Sequence, residues 1–256
     1  DFCFKEKIEL LIIGPEQPLV DGIVDYFKDT KIKVFGPNKL ASQLEGSKIF
    51  TKRICEKYNI PTAKFEIFGK LEDAKKFLNS SKYPLVSKAD CVAAGKGVYI
   101  CKNKEESFIA AEEIFGGKFG KTKNLLVEEF LIGEEMSYFV ICDGVNYKFV
   151  GTAQDHKRVG EGDKGKNTGG MGCYSPSRLF SPELAEKINS KIVDPTLSAI
   201  KNLGSEYKGF LYVGLMIIDN SPYLVEFNVR MGDPECQTIL PLLKNDLAEL
   251  FEDCCL

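Results

Sequence analysis

The segment "GFLYVGLMIID", Gly209 to Asp219, constrains the chain more than any other. It is apolar on both faces until Asp219, the pattern of a strand covered on both sides. Asp219-Asn220-Ser221 then supplies turn residues, and "PYLVEFNVRMG" follows, so the two arms read as a hairpin. In the second arm, alternation puts Val225, Phe227 and Val229 on one face and Glu226, Asn228 and Arg230 on the other. The doubly apolar partner implies that this arm is internal to a sheet. A polar row roughly 13 Å long on an internal strand is costly unless something compensates it. A Glu and an Asn oxygen suit a hard cation such as Mg²⁺, which takes its other ligands from phosphates and water. An arginine beside them can grip a phosphoryl group through two parallel hydrogen bonds. A polar outer strand face with a surface ion pair would show the same spacing.

The rest of the chain alternates strand and helix signals. "IELLII" ends at Gly14-Pro15 and reads as a buried parallel strand, Leu19 to Phe27 as an amphipathic helix, and "KIKVFGP" as the next strand. Glu45 to Pro61 reads as a helix stopped by Asn59 and Pro61. "AKFEIF", "LEDAKKFL", "YPLVSKAD", "GVYICK" and "KEESFIAAEEIF" read as a small α+β lobe. "NLLVEEFL", "EEMSYFVICDG" and "NYKFVGTAQDH" are further strands, and Pro182 to Leu203 is a long helix. The expected division is 1–40 as a partial N-terminal lobe, 41–125 as a small lobe with a linker helix, and 126–256 as a large lobe. One βαβ unit cannot cover its own sheet, and the chain stops inside the helical pattern "NDLAELFEDCCL". It is therefore expected to be part of something longer.

Composition narrows the ligand. With 34 Lys and Arg against 37 Asp and Glu, the net charge of −3 gives no bulk attraction to nucleic acid, so an anionic ligand needs a local cluster of cations. No apolar run approaches the ~20 residues of a membrane helix. Nine scattered cysteines without a C-x-x-C pair read as reduced thiols of a cytoplasmic protein, not as a disulfide framework or a zinc site.

Two glycine-rich segments remain. "SKADCVAAGKGVYI", Ser87 to Ile100, places two lysines eight residues apart around small residues. Such a hairpin can fold over phosphates, or it can be a tight turn with solvated lysines. "HKRVGEGDKGKNTGGMGCYSP", His156 to Pro176, holds six glycines and the only histidine. Its G-x-G-x-x-G, Gly160 to Gly165, lacks the preceding strand and following helix of a dinucleotide fingerprint, and Glu161 and Asp163 would repel a pyrophosphate. In "VEEFLIGEEMSY", backbone near Phe130 and Leu131 could pair with an adenine edge. A charged hairpin end is the simpler reading.

Together "GPEQPLVDGIVD", "FGPNKLASQLEGSK", "IPTAKFEIF", "KADCVAAGKGV", "VEEFLIGEE", "QDHKRVGEGDKGKNTGGMGCYSP" and "VEFNVRMGDPECQTILPLLKNDL" resemble the ATP-grasp ligases. Within them they resemble the glycinamide ribonucleotide synthetase (phosphoribosylamine–glycine ligase) family, in the family's order from end to end. The resemblance implies an α/β (α+β) chain with an ATP-grasp fold behind a partial Rossmann-like lobe. It implies ATP-dependent ligation of glycine to 5-phosphoribosylamine with Mg²⁺ or Mn²⁺, no nucleic-acid or membrane partner, and a place in a larger multifunctional chain. By the family's motifs Lys48, Lys88 and Lys96 contact ATP phosphates, Glu128, Glu129 and Leu131 hold the adenine region, and Glu135 holds the ribose. Glu226 and Asn228 bind the metal, Arg230 stabilises the transferred phosphoryl group, and Lys96 and Asp233 are catalytic with it, Asp233 from the glycine and phosphoribosylamine side. Gly14, Glu16, Asp155, Lys157, Asn167, Thr168, Gly169, Gly170 and Met171 surround glycine and phosphoribosylamine. The family has Gly-Leu where this chain has Cys91-Val92, a change that could restrict the phosphate loop.

Overall fold

The computed structural model describes residues 1–92, 97–120, 122, 124–156, 158–161, 164–168 and 170–255. After a first turn, α1 (Phe2–Lys5), strands β1 (Leu10–Ile12) and β2 (Lys33–Phe35) pair in parallel, joined through α2 (Glu16–Asp21) and α3 (Ile23–Phe27). The parallel βαβ pairing is the expected one, but the expected burial of the first strand is not found. Leu10 and Leu11 are half-buried and Ile12 is exposed, because no third strand joins this pair among the described residues. The single helix expected from Leu19 to Phe27 is split at Gly22, whose φ of 96° ends α2 in a left-handed cap.

The helix expected from Glu45 also divides, into α4 (Gln43–Gly46) and α5 (Lys48–Tyr58). Ser47 between them caps α5 by accepting from the Phe50 N–H, and left-handed Asn59 ends it. The small lobe is an antiparallel sheet in the order β3 (Phe65–Phe68), β6 (Leu125–Glu129), β4 (Leu85–Ala89), β5 (Val98–Cys101). Helices α6 (Leu71–Ser80) and α7 (Lys104–Phe115) pack on it. In α7, Ser107, Ala110, Ala111 and Ile114 are buried, the i, i+3, i+4, i+7 stripe of a helix lying on a core.

The large sheet runs β11 (Cys173–Tyr174), β8 (Tyr147–Asp155), β7 (Glu134–Asp143), β12 (Lys208–Ile218), β13 (Ser221–Asn228). A separate antiparallel pair, β9 (Arg158–Gly160) and β10 (Lys164–Asn167), lies between β8 and β11 in sequence. The expected long helix is α8 (Pro182–Ile188), a π-helical turn (Asn189–Val193) and α9 (Asp194–Asn202) in succession. Its Leu184, Ile188, Ile192, Val193, Ala199 and Ile200 join the core of the large sheet. The chain closes with α10 (Glu235–Ile239), a 3₁₀ turn (Leu240–Leu242) and α11 (Leu247–Asp253).

The hairpin forms as expected, with Asp219 and Asn220 both at positive φ, as a two-residue strand connection requires. Two expectations about it are corrected. Strand β13 is at the sheet edge, not internal; β12 is apolar on both faces because it lies between β7 and β13. The outer rim of β13 is covered in part by the linker before β3, where the Leu224 N–H donates to the Pro61 carbonyl at 2.7 Å. The alternation also slips. The register shifts between Gly214 and Leu215, which face Glu226 and Leu224. Val225 is thus the extra residue of a bulge, and it lines the cleft beside Glu226 while Leu224, Phe227 and Val229 share the core. Among the described residues no helix is long and apolar enough to cross a membrane.

Candidate active site

Strand β13 brings Glu226 to a cleft whose walls include Glu135, Ser137, Asp155, Tyr212 and Val225, and Asn228 follows two residues on along the same strand. Among the described residues neither the Glu226 carboxylate nor the Asn228 amide has a hydrogen-bond or ion-pair partner. Asn228 is nevertheless buried. Two oxygen donors two residues apart on a strand, otherwise unengaged, fit a hard divalent cation. No group of three or more His, Cys, Asp or Glu side chains is placed to hold a metal among the described residues, so such a cation would draw its remaining ligands from elsewhere.

Arg230, two residues on, lies between two carboxylates. Its Nη2 donates to Glu45 Oε1 at 2.9 Å and its Nε to Glu16 Oε2 at 3.3 Å. The second oxygen of Glu45 accepts from the Val229 N–H at 2.7 Å. Burial pushes the Glu45 carboxyl up to about 7 against the pull of Arg230, and nearby Glu16 and Glu226 add to the rise.

A second ion cluster stands where the small lobe meets β13. Glu128 on β6 accepts an ion pair from Lys52 on α5 at 2.9 Å and from Lys88 on β4 at 2.7 Å, and all three side chains are buried. Lys52 also donates to Thr62 Oγ1 and the Ala63 carbonyl, and Lys88 reaches the carbonyl of the bulged Val225 at 3.5 Å. Burial opposes the charge of Glu128, but Lys88 and Lys52 overcome it and hold the carboxyl below its ordinary range. Burial lowers the Lys52 ammonium while Glu128 supports it.

Beside this cluster Lys48 donates to the Cys91 carbonyl at 2.9 Å. Asp90 caps the same helix end, accepting from Ser47 Oγ and the Ile49 N–H. The start of the glycine-rich hairpin is thereby tied to α5. The Cys91 thiol donates to the Phe119 carbonyl and packs against the small-lobe core, which gives this substituted position a seat. Burial raises its pKa. Lys96 lies outside the described residues.

Glu129 Oε1 accepts from the Lys64 N–H at 2.9 Å, and Leu131 is half-buried in the link between the two sheets. Gly133 is required in that link, since a Cβ there would sit 2.4 Å from the Ile217 carbonyl oxygen. Glu135 follows at the start of β7, while exposed Glu134 is taken up by Arg178.

The second glycine-rich segment folds back on the strand before it. The His156 N–H donates to the Gly172 carbonyl and the Met171 N–H to the His156 carbonyl. Gly170, at φ 128°, leaves room for a Cβ only 2.6 Å from Pro234 Cδ and 2.9 Å from Asp155 Oδ1. Its N–H donates to Thr168 Oγ1. So Thr168, Gly170 and Asp155 meet the turn that carries Asp233, whose Oδ1 accepts from Gln237. Met171 is exposed, Asn167 belongs to β10 by its backbone, and Gly14 is exposed two residues before Glu16. Lys157 and Gly169 lie outside the described residues.

Three residues of this region carried no role in the sequence reading. Glu45 and Lys52 face partners far along the chain. Glu235 accepts from Tyr212 Oη at 2.9 Å and Ser137 Oγ at 3.3 Å beneath the cleft. Only the place of Glu45 and Glu235 inside the motif strings "LEGSK" and "GDPEC" hinted at them, and Lys52 lies outside both strings.

Comparison with known proteins places this geometry. Residues 46–236 match the family described as phosphoribosylglycinamide synthetase, ATP-grasp (A) domain, and residues 1–45 its N domain. The phosphoribosylamine–glycine ligase of Mesorhizobium japonicum is 49% identical over 98% of this chain and 59% of its own length. The bifunctional purine biosynthetic protein PUR2,5 of Pichia angusta is 49% identical over 98% of this chain and 32% of its own. The crystal structure of the Thermotoga maritima phosphoribosylamine–glycine ligase superposes with a TM-score of 0.82 at 36% identity, covering 91% of this chain and 59% of that one. The D-alanine–D-alanine ligase of Bacillus anthracis shares the fold, with a TM-score of 0.67 at 21% identity over 94% of this chain and 74% of its own. The chain thus spans about three-fifths of the single-function relatives it matches.

Proposed function

The chain belongs to the phosphoribosylglycinamide synthetase family, and on that footing we propose that it joins glycine to 5-phosphoribosylamine at the expense of ATP. The observation that carries this reading is the unengaged Glu226–Asn228 oxygen pair next to Arg230, in a chain matched to the family over both domains. A glycine carboxylate oxygen attacks the γ-phosphorus, ADP leaves, the neutral amine attacks the glycyl carbonyl and phosphate departs. Such chemistry rests on positioning and charge neutralisation. Each unit pair of like charges at ~4 Å costs about 4 kcal/mol at an effective dielectric near 20, so several cations must converge.

In this reading Lys48, Lys88 and Lys96 face the polyphosphate, and Glu128, expected at the adenine but buried with both oxygens on Lys52 and Lys88, holds Lys88 instead. Glu129 and Leu131 take the adenine and Glu135 the ribose. Mg²⁺ or Mn²⁺ on Glu226 and Asn228 would supply further neutralisation of phosphate charge. Arg230 stabilises the phosphoryl group in transfer. Glu16, Asp155, Thr168, Gly170 and Asp233, with Gly14, Lys157, Asn167, Gly169 and Met171, line the glycine and phosphoribosylamine side.

The bifunctional yeast relative supports a place in a longer, multifunctional chain. Nine free thiols, all among the described residues, support a cytoplasmic setting. Incubation with ATP, Mg²⁺, glycine and 5-phosphoribosylamine, read by mass spectrometry, tests the reading. Glycinamide ribonucleotide is expected; activation of formate or bicarbonate in place of glycine would overturn it.

A further inference from the structure

Arg230 is not held by its own strand. Both carboxylates on its guanidinium come from the first 45 residues, Glu16 from α2 and Glu45 from α4, although Arg230 itself lies in the ATP-grasp match. The two contacts differ. Glu16 makes one contact at 3.3 Å and its side chain is 20% exposed. Glu45 is 9% exposed, and its two oxygens are divided between the guanidinium and the Val229 N–H. One carboxylate therefore fixes both the Arg230 head group and the backbone one residue before it. That second bond lies just past Asn228, so it also sets how the chain leaves β13.

We propose that Glu45 is a positioning residue for the ligation, holding Arg230 in register with the Glu226–Asn228 pair from outside the ATP-grasp region. The inference rests on Arg230 acting in phosphoryl transfer. The contacts of Glu45 are to Arg230 and the Val229 N–H, so on this proposal its loss lowers the rate of transfer and leaves ATP affinity in place. Glu16, with its single exposed contact, is the partner a transferred phosphoryl group can displace; Glu45 stays bound to the backbone when that happens.

The test uses the 256-residue chain. Glu45→Gln keeps the size and can still accept from Val229, but loses the charge on Arg230. The expected result is a fall in kcat for ADP release of at least about tenfold, with KM for ATP within about twofold. Combined with Arg230→Lys it should add little to the loss caused by Arg230→Lys alone, because both remove one device. Glu45→Asp should recover part of the rate. Unchanged kcat, or losses that multiply in the double variant, would overturn the proposal. If the unaltered chain releases no ADP, the proposed function fails and the role in ligation with it, and NMR of the Arg230 guanidinium protons then decides whether Glu45 holds Arg230 in place. Protected signals that disappear in Glu45→Gln uphold it; identical spectra in the two proteins reject it.

Discussion

Two ion triads flank the Glu226–Asn228 pair, and they are built with opposite signs. Lys52–Glu128–Lys88 is a carboxylate between two cations, net positive and buried throughout. Glu16–Arg230–Glu45 is a cation between two carboxylates, net negative and partly open, with Arg230 and Glu16 each 20% exposed. The first is closed by further hydrogen bonds from Lys52 to Thr62 and Ala63, so Lys52 and Glu128 work as a frame that holds Lys88. The second has one replaceable partner and one fixed one, which suits a group that must act on something else. Residue types alone would rank both as salt bridges; burial and net sign separate a frame from a working part.

The largest expected effect strikes the frame. Glu128→Ala leaves two buried ammonium groups facing each other and should cost about 3–5 kcal/mol in urea unfolding. Arg230→Ala should cost no more than about 2 kcal/mol, because the carboxylates it abandons can reach water or take up a proton. Equal losses would erase the distinction.

The pH dependence of stability should differ in sign. Glu45 rises on folding from 4.5 to about 7, so the folded state binds its proton more tightly. Its contribution is fully present below pH 4.5 and is lost as pH rises through about 7, by about 3 kcal/mol at most. Glu128 is lowered on folding, so its contribution holds above its unfolded pKa and is lost as pH falls through the folded value. Unfolding curves across pH should show both limbs, and Glu45→Gln should remove the one between 4.5 and 7. Persistence of that limb in the variant would assign it to another group.

Turnover comes next. Glu226→Gln should lose at least about a hundredfold in metal-dependent rate, roughly 2.7 kcal/mol, with the unfolding midpoint nearly unchanged. Full activity in that variant would remove Glu226 from the metal site. The smallest effect belongs to the exposed pair of Glu134 and Arg178, where Glu134→Ala should cost less than about 1 kcal/mol and serves as the reference for both triads.

The sequence patterns located most elements and the hairpin that carries the site, because periodicity and turn chemistry are local. The ATP-grasp arrangement came from the family resemblance, since no local signal distinguishes β6, in one sheet, from β7, in the other, across a four-residue link. The position of β13 was misread because an apolar strand reports its own burial, not whether its neighbour has a further neighbour. Val225 was misplaced because a bulge adds one residue without changing the composition of the strand. Glu45 could not be paired with Arg230 from sequence, since 185 residues separate them and only the fold joins them. The proximity of Glu226 and Asn228 was legible because both lie on one strand, two residues apart.

The central claim is that the open triad and the Glu226–Asn228 pair serve the activation of glycine by ATP. ADP release, coupled to an optical signal and measured with and without glycine at saturating Mg²⁺-ATP and 5-phosphoribosylamine, tests it most directly. The account predicts release that requires glycine and stops when the metal is chelated. ADP release that is equal in the presence and absence of glycine, or ATP binding with no release in either case, would contradict it.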